Sequence, residues 1–163
     1  IFIKKTKPFV IALNTNKTIS SKLINVRVVC NTLRLLTDHK SFNKLPQKII
    51  LPYQRLSSSI KLRLKSIKKL DFGVEIKHNS FKFLKSSAII PNSLAITYAL
   101  AIANSGKAKR IFLAGFDGYD ADDSRRREMD QLFILYQSLS KKIDLVSLTP
   151  TKYKVQSRSV YSF

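Results

Sequence analysis

Short apolar runs that each end at a polar or turn-forming residue recur along the chain. Runs of this kind, rich in β-branched residues, are typical of strands buried on both faces of a parallel sheet. They predict strands over residues 9–13, 26–30, 49–51, 87–91, 110–115 and 143–148. We expect residues 9–13, 26–30 and 111–114 to form neighbouring buried strands.

Between these runs, apolar residues recur at helical spacing. The pattern predicts helices over residues 56–70, 94–104 and 128–139. The first is amphipathic with a basic outer face, whereas the second is so apolar that most of its circumference must be buried. Strands that alternate with helices predict an α/β fold of Rossmann-like type, with a mainly parallel sheet and helices on both faces.

Length and composition fit a globular protein. The chain has 163 residues, of which 44% are hydrophobic, and this is enough to build a core. We expect one domain over residues 1–155 and a flexible tail over residues 156–163. No apolar run is long enough to span a bilayer, and the chain does not open on a cleavable signal pattern. These features predict a cytoplasmic protein.

The sequence is strongly basic, and most of its few acidic residues lie in one segment. Thirty Lys and Arg residues stand against ten Asp and Glu residues, for a formal charge of +20, and six of the ten acids lie between Asp117 and Asp130. A positive surface attracts polyanions. The basic residues are scattered and no nucleic-acid-binding motif accompanies them, so nucleic acid is the least favoured partner. We expect the basic side chains of residues 56–70 to be solvated and to hold duplex DNA only weakly.

Polar residues follow several predicted strands at the point where each strand ends. In open parallel sheets, ligands bind outside these carboxyl ends. Candidates here are Asn14, Asn31, Asn92 and Ser93. Asparagine donates and accepts hydrogen bonds, which suits ribose hydroxyls and base edges, but it also tolerates turn geometry. Ser93 precedes the apolar helix, where it could help to hold a phosphate or simply cap the helix.

A second set of candidates follows the last two predicted strands: Gly115, Asp117, Tyr119, Thr149 and Thr151. Glycine would let the backbone approach a ligand while Asp117 takes a hydroxyl group, although acidic turns with paired glycines are also common structural features. The acidic run at residues 120–123 lacks the spacing of a calcium loop, so no metal site is expected. We predict that Asn14, Asn31, Ser93 and Asp117 gather at one edge of the sheet.

Catalytic groups are scarce in the sequence. No nucleophile and base can be paired, and the lone cysteine, Cys30, lies in an apolar run where a small buried hydrophobe is the expected role.

Five segments together resemble the C-terminal domain of hydroxymethylglutaryl-CoA-lyase-like proteins of the 4-hydroxy-2-oxovalerate aldolase type, which are found with surface-polysaccharide genes. The segments are residues 11–16, 51–56, 91–106, 113–119 and 148–153. More remotely, the chain is similar to bacterial sialyltransferases and to the 6-hydroxymethylpterin diphosphokinase-like family, which share a Rossmann-type nucleotide site. In the sialyltransferases, the positions that match Asn14, Asn31 and Ser93 contact a cytidine nucleotide donor.

The resemblance implies a nucleotide- or nucleotide-sugar-binding accessory domain in surface polysaccharide biosynthesis, with a cytidine-type ligand. Its first strand and its aldolase barrel, with any divalent metal, would precede Ile1. This segment would then hold no cofactor and would not be catalytic alone, since the sialyltransferase general base has no counterpart between Tyr119 and Ile143. A docking module for the barrel is the alternative.

Overall fold

The structure is a computed structural model that describes residues 2–162. Its helices are α1 (Phe2–Thr6), α2 (Thr32–Thr37), α3 (His39–Phe42), α4 (Ser58–Arg63), α5 (Ala95–Ser105) and α6 (Ser124–Ser138). Its strands are β1 (Ile11–Leu13), β2 (Val26–Val28), β3 (Lys48–Leu51), β4 (Lys69–Asp71), β5 (Gly73–Ile76), β6 (Lys82–Phe83), β7 (Ser87–Ile90), β8 (Ile111–Leu113), β9 (Leu145–Ser147) and β10 (Gln156–Ser157).

The chain divides into two compact units. The core unit is Pro8–Ser105, and the terminal unit is the described part of Ile1–Lys7 together with that of Gly106–Phe163. The single domain over residues 1–155 stays a prediction.

Two sheets form the framework of the core unit. The first has the order β1-β2-β3-β4 with every pair parallel, and the second has the order β5-β7-β6, in which β5 is parallel and β6 antiparallel to β7. Only Phe72 separates β4 from β5, and its N–H donates to the carbonyl oxygen of Leu51 at 3.1 Å. A single extended stretch therefore pairs first with β3 and then with β7.

Helices cover both faces of the β1-β2-β3-β4 sheet. Val28 and Ile50 pack into a cluster with Tyr98 and Ala101 of α5. Their chain neighbours point the other way and pack against the helices after β2 and β3, in a cluster that contains Val29, Ile49, Leu51, Leu35, Phe42 and Ile60. The predicted fold class, a mainly parallel α/β arrangement of Rossmann-like type, is confirmed.

A three-stranded parallel sheet of order β10-β9-β8 forms the terminal unit with α6. This helix buries Met129, Leu132, Phe133 and Tyr136. The segment predicted as a tail begins with β10, which pairs with β9. Flexibility of the segment stays a prediction.

Two expectations about individual elements are wrong. The strand expected at residues 111–114 pairs with β9 in the terminal unit, and is not in the sheet of β1 and β2. The apolar residues of this segment predict that the strand is buried, but they do not specify its partner strand.

The helix expected over residues 56–70 ends at Arg63. Leu64 and Ile67 are buried as their spacing predicts, but in the turns that lead to β4. The N–H of Ile49 donates to the carbonyl oxygen of Lys68 at 2.7 Å. Hydrogen bonding to β3 thus replaces the last turns of the helix.

Candidate functional site

A pocket of about 300 Å³ opens in the core unit at the carboxyl ends of its parallel strands. Its walls come from the segments after β2, β3 and β7, from β5 itself and from the first turn of α2. The lining residues are Cys30, Asn31, Thr32, Leu33, Pro52, Arg55, Leu56, Val74, Ile76 and Ser93. This is the edge at which parallel sheets bind their ligands.

Cys30 joins two walls of the pocket. Its thiol donates to the carbonyl oxygen of Ser93 at 3.2 Å, and only 7% of the residue is exposed. Burial raises the pKa of the thiol to about 12, so the thiol stays neutral at physiological pH. A neutral, buried thiol is a structural group and a poor nucleophile.

Asn31 and Ser93, both predicted as site residues, line the pocket together. Asn31 caps α2, because its Oδ1 accepts from the N–H of Arg34 at 3.2 Å. Its Nδ2 group has no partner within residues 2–162, and neither does the hydroxyl of the exposed Ser93. Both side chains therefore keep a hydrogen-bonding group free for a ligand.

Arg55 is the charged side chain of the pocket lining. It lies at the end of a 3₁₀ turn (Tyr53–Arg55) that follows β3, and its side chain is exposed. Throughout the described chain, no acidic side chain pairs with it. Sequence reasoning missed Arg55, because it lies four residues beyond the third predicted strand and not at the strand end; a basic residue in that loop was the signal available.

Asn92 and Asn14 have structural roles in their own loops. The Oδ1 of Asn92 accepts from the hydroxyl of Thr97 at 2.6 Å and from the N–H of Leu94 at 3.3 Å, at the beginning of α5. Asn14 has a φ of 50°, a left-handed conformation that asparagine tolerates well. It follows β1 and is not among the residues that line the pocket.

A buried arginine supports the loop after β1, which sequence reasoning also missed. Arg27 is 2% exposed, and its Nη1 donates to the carbonyl oxygens of Asn14 at 3.1 Å and Asn16 at 2.8 Å. Its Nε donates to the Oε1 of Gln47 at 3.1 Å. Burial lowers the pKa of Arg27, but a guanidinium group remains charged. The signal was a lone charge within an apolar strand.

In the terminal unit, two loops that carry predicted residues are joined by hydrogen bonds. The N–H of Gly115 donates to the hydroxyl of Thr149 at 3.0 Å, and the hydroxyl of Thr151 donates to the carbonyl oxygen of Phe116 at 2.6 Å. Both threonine hydroxyls thus stabilise the loops. The five predicted residues from 115 to 151 are brought together here, in a different unit from Asn31 and Ser93.

Asp117 and Tyr119 lie on the surface of the same loop. The carboxylate of Asp117 is exposed, and no ion pair to it occurs among residues 2–162. The guanidinium of Arg125 lies 4.3 Å from the centre of the Tyr119 ring and pairs with Asp123. Hydrogen bonding to Arg125 lowers the pKa of Asp123. Tyr119 is therefore engaged by a neighbouring cation.

Three further results bear on function. Within the described residues, no group of three His, Cys, Asp or Glu side chains is arranged to hold a metal ion. No helix over the same residues is long and apolar enough to cross a membrane. No protein family, curated protein or solved structure matches the chain. The geometry of the pocket is thus the main basis for a functional proposal.

Proposed function

We propose that the core unit binds a nucleotide or a nucleotide sugar in the pocket at the carboxyl ends of its parallel strands. The observation that carries the proposal is Arg55, an exposed cation that lines the pocket without an acidic partner in the described chain. A guanidinium group binds phosphate oxygens in bidentate fashion. Asn31 and Ser93 add free hydrogen-bonding groups on the same walls.

The apolar part of the lining supports a ligand that also carries a ring. Leu33 is 67% exposed and Ile76 is 50% exposed, and both line the pocket beside the buried side chains of Leu56 and Val74. Exposed apolar side chains beside a pocket contribute favourably to the binding free energy when a flat apolar group covers them. A ring joined to a phosphate is the simplest ligand that satisfies both parts, and a nucleotide has this composition.

The wider context of the proposal depends on sequence resemblance alone. That resemblance supports an accessory domain of an aldolase-type lyase, acting in the cytoplasm in surface polysaccharide biosynthesis with a cytidine-type ligand. A docking module without a ligand is the competing hypothesis.

Thermal unfolding of the chain in the presence of nucleotides and nucleotide sugars tests the proposal. A ligand at a hundred times its Kd adds about 2.7 kcal/mol to the free energy of unfolding, so the melting temperature should rise with a binding nucleotide and not with the matching nucleoside. If no nucleotide or nucleotide sugar raises it, the proposal is wrong and the docking hypothesis takes its place.

A pair of variants locates the site. Arg55→Gln should weaken nucleotide binding about tenfold, roughly the 1.4 kcal/mol expected when a charge-assisted hydrogen bond is lost. Arg63→Gln is the matched control, because Arg63 is an exposed arginine of α4 that does not line the pocket. Equal effects of the two variants would show that binding follows overall charge and not this pocket.

A further inference from the structure

Two lysines converge on one tyrosine ring beside the pocket. The Nζ of Lys61 lies 5.3 Å and the Nζ of Lys69 4.8 Å from the centre of the Tyr53 ring, within cation–π range. The Nζ of Lys61 also donates to the carbonyl oxygen of Gln54 at 3.2 Å. Tyr53 and Gln54 belong to the same 3₁₀ turn as Arg55, so both ammonium groups contact the turn that carries the cation of the pocket.

No acidic side chain of the described residues forms an ion pair with either lysine. The acidic residue beside the turn is Asp71, whose Oδ1 accepts from the N–H of Gln54 at 3.1 Å and which forms no ion pair with Lys61 or Lys69 over the described residues. The core unit as a whole contains sixteen Lys and Arg residues against three Asp and Glu residues. Like charges held close together repel, and an anion placed between them removes that repulsion.

We infer that the ligand of the pocket carries at least two phosphate groups, which extend from Arg55 along the basic track formed by Lys61 and Lys69 on the Tyr53 ring. This inference rests on the proposed function and specifies its ligand class. A nucleoside diphosphate, free or joined to a sugar, fits better than a nucleoside monophosphate because its second phosphate reaches the lysines.

The arrangement of Tyr53 favours a small polyphosphate over a nucleic acid. Proteins that bind single strands stack successive bases on aromatic rings. Two lysines already occupy the ring of Tyr53, so the ring positions cations rather than bases.

Isothermal titration of the full 163-residue chain with the mono-, di- and triphosphate of one nucleoside tests the inference. Affinity should rise about tenfold from monophosphate to diphosphate, as expected when one charge-assisted contact is added. In the double variant Lys61→Gln/Lys69→Gln, this increase should fall below about threefold, while monophosphate affinity stays unchanged.

The matched control is Lys65→Gln/Lys68→Gln, which removes two exposed lysines that form no cation–π pair with Tyr53. It should keep the full increase. Mono- and diphosphates that bind equally well to the unmodified chain would overturn the inference and leave the proposed function standing. Absence of all nucleotide binding would overturn both. A single-stranded oligonucleotide that binds more tightly than the diphosphate would overturn the inference in favour of nucleic acid.

Discussion

The thiol of Cys30 donates a hydrogen bond to the carbonyl oxygen of Ser93, at 3.2 Å, across a separation of 63 residues in the chain. It joins the segment after β2 to the segment that leads into α5, and both residues line the same pocket. The position of Ser93 therefore depends on a buried neutral thiol, and the pocket wall should respond to the protonation state of that thiol.

We expect Cys30 to make the chain less stable at alkaline pH. Its folded pKa is raised by burial to about 12, from an ordinary value of 9.0. Its stabilisation is complete below pH 9 and is lost as the pH rises towards 12, because the unfolded thiol ionises first. Between these pH values the free energy of unfolding should fall by up to about 1.4 kcal/mol per pH unit.

Urea denaturation between pH 8 and 11 measures this effect. Cys30→Ala is the control, since it removes the thiol and leaves the other titrating groups in place. Its free energy of unfolding should depend less steeply on pH than that of the unmodified chain. Identical slopes would contradict the prediction.

Most strands of the fold were predictable from local sequence. β1, β2 and β7 fall within predicted segments and β3 overlaps one, because a short β-branched run ended by a polar residue is characteristic of a buried parallel strand. β4 and β5 were missed, since charged residues interrupt them. The alternation of Phe72 and Val74, both buried, was the signal available there.

Pairing between distant strands was not predictable in the same way. The partner of β8 is β9, which lies beyond the fifteen-residue helix α6. The residue types at 111–113 do not specify this pairing. The same limit applies to the site. The strand-end rule found Asn31 and Ser93, whereas Arg55 depends on the 3₁₀ turn that follows β3.

Arg27 should contribute strongly to stability. Arg27→Met leaves the Oε1 of Gln47 and the carbonyl oxygens of Asn14 and Asn16 without their donors, which should cost about 2–4 kcal/mol. Arg34→Met is the comparison, because the Arg34 side chain is 61% exposed and pairs with Asp38 at the surface. Such pairs contribute about 0–1 kcal/mol. Comparable losses in urea denaturation would show that the Arg27 bonds contribute little.

Gly118 should tolerate a side chain less well than Gly115. A Cβ atom at Gly118, where φ is 109°, would lie 2.8 Å from the Cβ of Lys152, whereas one at Gly115, where φ is 75°, meets no atom within 4 Å. Gly115→Ala should cost about 1 kcal/mol from backbone strain alone, and Gly118→Ala about 2–3 kcal/mol because the clash is added. Differential scanning calorimetry should therefore give the lower melting temperature for Gly118→Ala, and the reverse order would refute the packing of the two loops.

The apolar wall of the pocket can be tested with two leucines of nearly equal exposure. Leu33 is 67% exposed and lines the pocket, whereas Leu62 is 69% exposed and does not. Replacing either one with serine should alter stability by less than about 0.5 kcal/mol, because neither side chain is part of the core. A nucleobase that covers Leu33 buries apolar surface worth about 1–1.5 kcal/mol, so Leu33→Ser should weaken nucleotide binding about tenfold. Leu62→Ser should leave the Kd unchanged in the same titration. If the two variants bind the nucleotide equally well, the base does not lie against Leu33 and the apolar wall has another role.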